Sequence, residues 1–263
     1  MNGRFGRRLA LGAAGLMLVL STSLSAQAPA EAQNPAGVHI RPGLGVEYFN
    51  RLITWDDEAY TSKVKALLFT FNLEVEPVRN FSLNLVLGYS LANFDGLVFR
   101  QMPFSVDLEA GFLSGMLLGG GLKQKFVVSS EFEMDLEAQF VTYLGSKSSW
   151  DIRGLNEDGI LDGKPTWYRV QAGPVFWYKG FMYFSPYLRV SFDKLWGTFH
   201  AEEGIGPLEG LEDKAISGRG LFSAALGTLF EPTSGIGLKG EIFVLPRSGG
   251  LDYGAQGRLI FSF

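Results

Sequence analysis

The chain contains no cysteine. Disulfides, zinc–thiolate sites and thiol nucleophiles are therefore excluded, as is a lipoprotein-type anchored N-terminus. Histidine is nearly as scarce, with two in 263 residues, His39 and His200. Metalloprotease, Walker and Rossmann motifs are missing, and no cofactor is expected. After Leu20 no apolar run approaches the ~18 residues of a membrane helix. Basic charge is also short: 23 Lys and Arg stand against 27 Asp and Glu, which disfavours a nucleic-acid partner.

The first 28 residues read as a secretory signal. Arg4, Arg7 and Arg8 form a basic start, residues 9–20 are apolar, and Ser25-Ala26-Gln27-Ala28 offers cleavage after Ala26 or Ala28. Twelve apolar residues are too few for a spanning helix, which needs about 20. The pair Arg7-Arg8 reads as ordinary signal charge, and export is expected by the Sec route. Loss of the three arginines takes the 23 basic residues to 20 against 27 acidic, a formal charge of −7. Residues 29–37 read as a flexible lead-in, and residues 38–263 as one β-barrel domain.

Period-2 alternation dominates what remains. Leu83, Leu85, Leu87, Tyr89 and Leu91 alternate with Ser82, Asn84, Val86, Gly88 and Ser90, the signature of a strand whose two faces meet different surroundings. Ten such segments are expected, at about 39–49, 64–76, 81–91, 117–126, 131–144, 167–178, 182–195, 219–230, 237–245 and 252–263. Their connections sort by length. Those at 77–80, 127–130, 179–181 and 231–236 are short, whereas 145–166 and 196–218 read as long polar loops. Short turns on one rim and long loops on the other fit a barrel that crosses a membrane. Aromatic residues 176–184 surround one short turn, as in an interfacial girdle. The stretch 92–116 is ambiguous: a hairpin arm, an inward-folded plug or lid, or an extra strand that with a missed partner would give twelve.

The last segment alternates to its end, with Tyr253, Ala255, Gly257, Leu259, Phe261 and Phe263 on one face. It resembles the closing strand of small Gram-negative outer-membrane β-barrels of the eight-to-twelve-stranded class. That resemblance implies an all-β, closed, antiparallel up-and-down transmembrane barrel of about ten strands, located in the cell outer membrane. It also implies that Tyr253, Gly257, Leu259, Phe261 and Phe263 form a signal read by the barrel-assembly machinery. Arg258 stands where the family pattern often has glycine. Membrane lipid and lipopolysaccharide are the implied surroundings. A soluble periplasmic barrel that binds a ligand is the alternative, and it would reverse the two faces of every strand.

With apolar faces outward, the lumen is expected to be charged. Lys123, Lys125, Glu133, Asp135, Glu137, Arg169, Arg189, Lys239, Glu241 and Arg258 would face it. Lys125 is expected opposite Glu133 and Lys123 opposite Asp135, so that opposite charges satisfy one another. Such a network reads as a rigid filling or as the lining of a narrow pore. A conduit or binding site for a small apolar ligand, with 92–116 as lid, is a further alternative. His200, beside Glu202 and Glu203, reads as a solvated loop residue, and no catalytic role is assigned. Asn156, Asp158 and Asp162 offer hard oxygen ligands suited to calcium, at the spacing of a broken EF-hand, so an acidic turn is the plainer reading.

Overall fold

The computed structural model describes residues 39–55, 61–99, 106–108, 111–152, 159–233 and 235–262. The signal segment, the lead-in, Asn156, Asp158 and Phe263 lie outside these residues. In chain order the strands are β1 (His39–Trp55), β2 (Thr61–Val78), β3 (Phe81–Asp95), β4 (Leu97–Phe99), β5 (Val106–Leu108), β6 (Phe112–Val127), β7 (Phe132–Gly145), β8 (Ser148–Ile152), β9 (Gly159–Tyr178), β10 (Phe184–Ile205), β11 (Leu208–Gly218), β12 (Phe222–Thr233), β13 (Ile236–Arg247) and β14 (Gly250–Phe261). All pairings are antiparallel, and twelve strands share one sheet.

The ladders close two rings. Ten strands, β1-β2-β3-β6-β7-β9-β10-β12-β13-β14, return to β1 through the β14–β1 pairing. These ten correspond to the ten segments expected from alternation. Further out, β11 folds back on β10 from Trp196↔Ser217 to Ile205↔Leu208 and meets β1 at Ile53–Trp55. There β11 takes the place of three strands, and the ring narrows to eight. The hairpin β4–β5 is a separate two-stranded piece.

The lower ring turns its apolar residues outward. Phe69 is 46% exposed, Leu85 47% and Leu136 41%. So wide an apolar belt is untenable in water; this is the surface of a membrane-spanning barrel. The soluble alternative is excluded at this level.

Further out the same strands invert. On β10, Leu188, Val190 and Phe192 face outward while Arg189, Ser191 and Asp193 are buried. Beyond Trp196, Thr198, His200 and Glu202 take the outer face, while Phe199, Ala201, Glu203 and Ile205 are buried. Strand β2 inverts likewise, from Phe69 and Phe71 outward to Val64 and Ala66 inward. The chain thus stacks a soluble-type eight-stranded barrel on a membrane-type ten-stranded one. The expectation of a charged lumen throughout is corrected for the outer half, whose interior is mainly apolar, although Glu203 and Glu212 are buried there and Glu212 pairs with Lys214 at 2.8 Å. The expected long loops 145–166 and 196–218 are corrected as well: they contain β8, the outer half of β9, the outer half of β10, and β11. Polar outward residues made these segments read as loops, yet alternation continues through them with its polarity reversed.

The periplasmic rim carries the short turns. At Arg79-Asn80, between β2 and β3, Asn80 takes a left-handed φ of 68°, a conformation asparagine tolerates.

Candidate functional site

The ten lumen residues named from the sequence all belong to strands of the lower ring. Lys123, Glu137, Arg189, Lys239 and Arg258 line a cavity of about 140 Å³ near the periplasmic rim. The expected pairing is shifted by one inward step: Lys125 stands opposite Asp135 and Lys123 opposite Glu137. The β6–β7 turn comprises residues 128–131, one position later than 127–130, and the register moves with it. Lys125 still reaches Glu133 diagonally at 3.6 Å. Lys123 leaves its β7 neighbours and pairs with Glu74 on β2. Asp135 accepts a hydrogen bond from Trp177 Nε1 at 2.9 Å. Glu241 accepts from Tyr187 Oη at 2.8 Å and from Gln256 Nε2 at 2.8 Å, and pairs with Arg189.

A second layer lies further along the barrel. Asp193 is 0% exposed. It accepts from Arg51 Nη1 at 2.6 Å and from Arg169 Nη2 at 2.7 Å. Gln171 Nε2 adds a contact at 3.3 Å, and Arg169 also pairs with Glu47. Arg51 Nη2 donates to the carbonyls of Asp193 and Gly220 at 3.0 and 3.2 Å. It therefore sits where β10 passes from β12 to β11. A Cβ at Gly218 would stand 2.7 Å from Arg51 Nε, so this glycine admits the guanidinium. Arg169 lies in this layer and not in the cavity with Lys123.

A third layer fills the outer section. Phe199 is 0% exposed, with Phe94, Phe99 and Trp55 around it at ring distances of 5.6, 5.7 and 6.5 Å. Trp167 stacks on Tyr143 at 5.2 Å and meets Phe49 edge-on at 5.8 Å. Phe99 comes from the β4–β5 hairpin, so part of 92–116 does fold inward, while 92–95 and 112–116 continue β3 and β6.

On the outer wall His200 lies on β10, not in a loop. Its Nδ1 bonds Asp213 and its Nε2 reaches Glu202 at 3.1 Å. The hydrogen bonds to Asp213, then to Glu202, raise its pKa above the ordinary imidazole value. Ser149, on the neighbouring β8, donates to Asp162. Asp162 also pairs with Lys147 at 2.9 Å, and no metal-binding cluster of His, Cys, Asp or Glu occurs among the described residues.

Sequence reasoning missed Arg51. The expected first segment, 39–49, stops short of it, whereas Phe49, Arg51, Ile53 and Trp55 continue one buried face. Following that alternation two steps further would have exposed a lone cation among apolar neighbours. Of the terminal-strand residues, Tyr253, Gly257, Leu259 and Phe261 share one face of β14, on which Tyr253 is exposed.

No family model and no curated protein matches the chain. Among solved structures it is similar to the outer membrane protease OmpT of Escherichia coli, with 9% identity, 89% of this chain and 99% of that one covered, and a TM-score of 0.50. It is also similar to an outer membrane channel of Pseudomonas putida F1 (10% identity, 90% and 100% covered, TM-score 0.42). A third is the attachment invasion locus protein Ail of Yersinia pestis (11% identity, 86% and 97% covered, TM-score 0.32). The fold is that of Gram-negative outer-membrane β-barrel proteins.

Proposed function

We propose that this outer-membrane β-barrel is a closed, non-conducting and non-enzymatic one. It anchors in the membrane and presents its eight-stranded outer section at the cell surface in a structural or interaction role. The observation that carries this reading is the filled outer half. Trp167, Phe94, Phe99 and Phe199 are buried at 0–1% exposure, and the Arg51–Asp193–Arg169 layer lies beneath them. Eight strands give an interior that side chains alone can fill. Narrow-pore passage would need a polar path through this plug. An apolar-ligand conduit would need space there, and the hairpin residue Phe99 occupies it instead. His200 is engaged by two carboxylates on the outer wall, and no side-chain hydroxyl is hydrogen-bonded to it among the described residues. In this reading lipid and lipopolysaccharide surround the belt, and the outward face of β14 serves the assembly machinery.

Planar-bilayer recording tests this. Folded protein at neutral pH is expected to give no unitary conductance in potassium chloride. Reproducible single-channel steps would contradict the closed reading.

A further inference from the structure

The periplasmic cavity carries an unbalanced charge that the closed barrel does not use. Every strand of the ten-membered ring contributes to its wall. Five cationic side chains line it against three carboxylates. Glu74 is taken by Lys123, with Arg41 at 3.8 Å. Arg189 is held by Glu241 and by Gln171 Oε1 at 3.0 Å, but its buried Nε has no hydrogen-bond partner.

Lys239 and Arg258 stand directly opposite each other across the β13–β14 ladder, both on the lumen face. Like charges so placed repel and destabilise the pair. Neither has a carboxylate within ion-pair distance among the described residues. Lys239 Nζ rests instead over the rings of Tyr187 and Trp177, at 4.7 and 5.3 Å. Such ring contacts hold a cation in place without neutralising it. Glu137 lines the same cavity but forms no ion pair with either.

We infer that this cavity binds a compact oxyanion of the phosphate or sulfate class from the periplasmic side, clasped between Lys239 and Arg258. Guanidinium and ammonium groups form strong charge-assisted bonds to such oxygens, and an anion between the two cations removes their repulsion. A volume of about 140 Å³ admits a free tetrahedral anion and falls well below the roughly 300 Å³ at which organic-ligand pockets begin.

Equilibrium dialysis of the full chain in detergent against radiolabelled inorganic phosphate, at constant ionic strength, reads this site. One saturable site per chain is expected, with a change in Trp177 emission on filling. Lys239→Met and Arg258→Met should each weaken binding about tenfold, the loss of one charge-assisted bond. Glu137→Gln should tighten it severalfold, because it removes a repelling carboxylate while keeping the side chain's shape. Heat-modifiable gel migration identifies folded barrels, and the Glu137→Gln result stands even where a cation variant fails to fold. Short-chain phosphatidic acid, which carries the same group on a lipid, should not compete. The inference is overturned by the absence of saturable phosphate binding, by unchanged affinity in folded Lys239→Met or Arg258→Met protein, by weaker binding in Glu137→Gln, or by equal competition from the lipid.

Discussion

Asp193→Ala is expected to lower the unfolding free energy of the barrel by about 3–5 kcal/mol, the range for breaking a buried ion pair from one side. The carboxylate is fully buried and shared by Arg51 and Arg169. Its removal leaves two guanidinium groups desolvated, of which Arg169 keeps its ion pair with Glu47. The damage also reaches the backbone, because Arg51 ties the carbonyls of Asp193 and Gly220 at the ten-to-eight-strand junction. Urea unfolding from lipid vesicles measures the loss. Lys65→Ala, which breaks the half-exposed pair with Asp95, should cost far less, since water and salt screen that pair. Equal effects of the two substitutions would show that the Asp193 layer is not sealed from solvent.

Phe199→Ala is the second large effect, at about 3–5 kcal/mol for a buried aromatic lost from a filled interior. The phenyl ring is the hub around which Phe94, Phe99 and Trp55 meet. Strands β1 and β3 and the β4–β5 hairpin converge on it, so neighbours cannot collapse into the gap. Phe192→Ala, seven residues earlier on the same strand, removes the same ring from the lipid-facing side. Acyl chains flow into that space, as apolar as the side chain lost, so the cost there should be much smaller. Comparable losses at 192 and 199 would mean that both positions face the same medium.

The lower ring was legible because its physics is local. Leu83, Leu85 and Leu87 against Ser82, Asn84 and Val86 display both media in six residues, and each short turn announces the next strand. The outer section was illegible for an equally physical reason. Residues 198–204 keep the alternation but exchange which face is apolar, and polar residues pointing into water read as loop when the rest of the chain points grease outward. The register of β6 against β7 was also out of reach, since Lys123 and Lys125 each find opposite charge in either alignment. Only the strand-to-strand geometry shows that Lys123 turns to Glu74, 49 positions earlier in the chain. Arg51 illustrates the remaining gap. Its partner Asp193 is 142 positions away, and nothing near Arg51 in sequence reveals the carboxylate that neutralises it.

Thiol labelling along β10 tests the polarity inversion most directly, because the natural chain has no cysteine and each introduced thiol reports alone. Val190→Cys, Thr198→Cys and Phe199→Cys would be placed in vesicles and exposed to one water-soluble and one lipid-soluble maleimide. The water-soluble reagent should modify Thr198→Cys alone, the lipid-soluble reagent should modify Val190→Cys, and Phe199→Cys should resist both while the barrel is folded. Rapid aqueous labelling of folded Val190→Cys, or of Phe199→Cys, would contradict a membrane-type barrel carrying a dry, soluble-type barrel on its outer end.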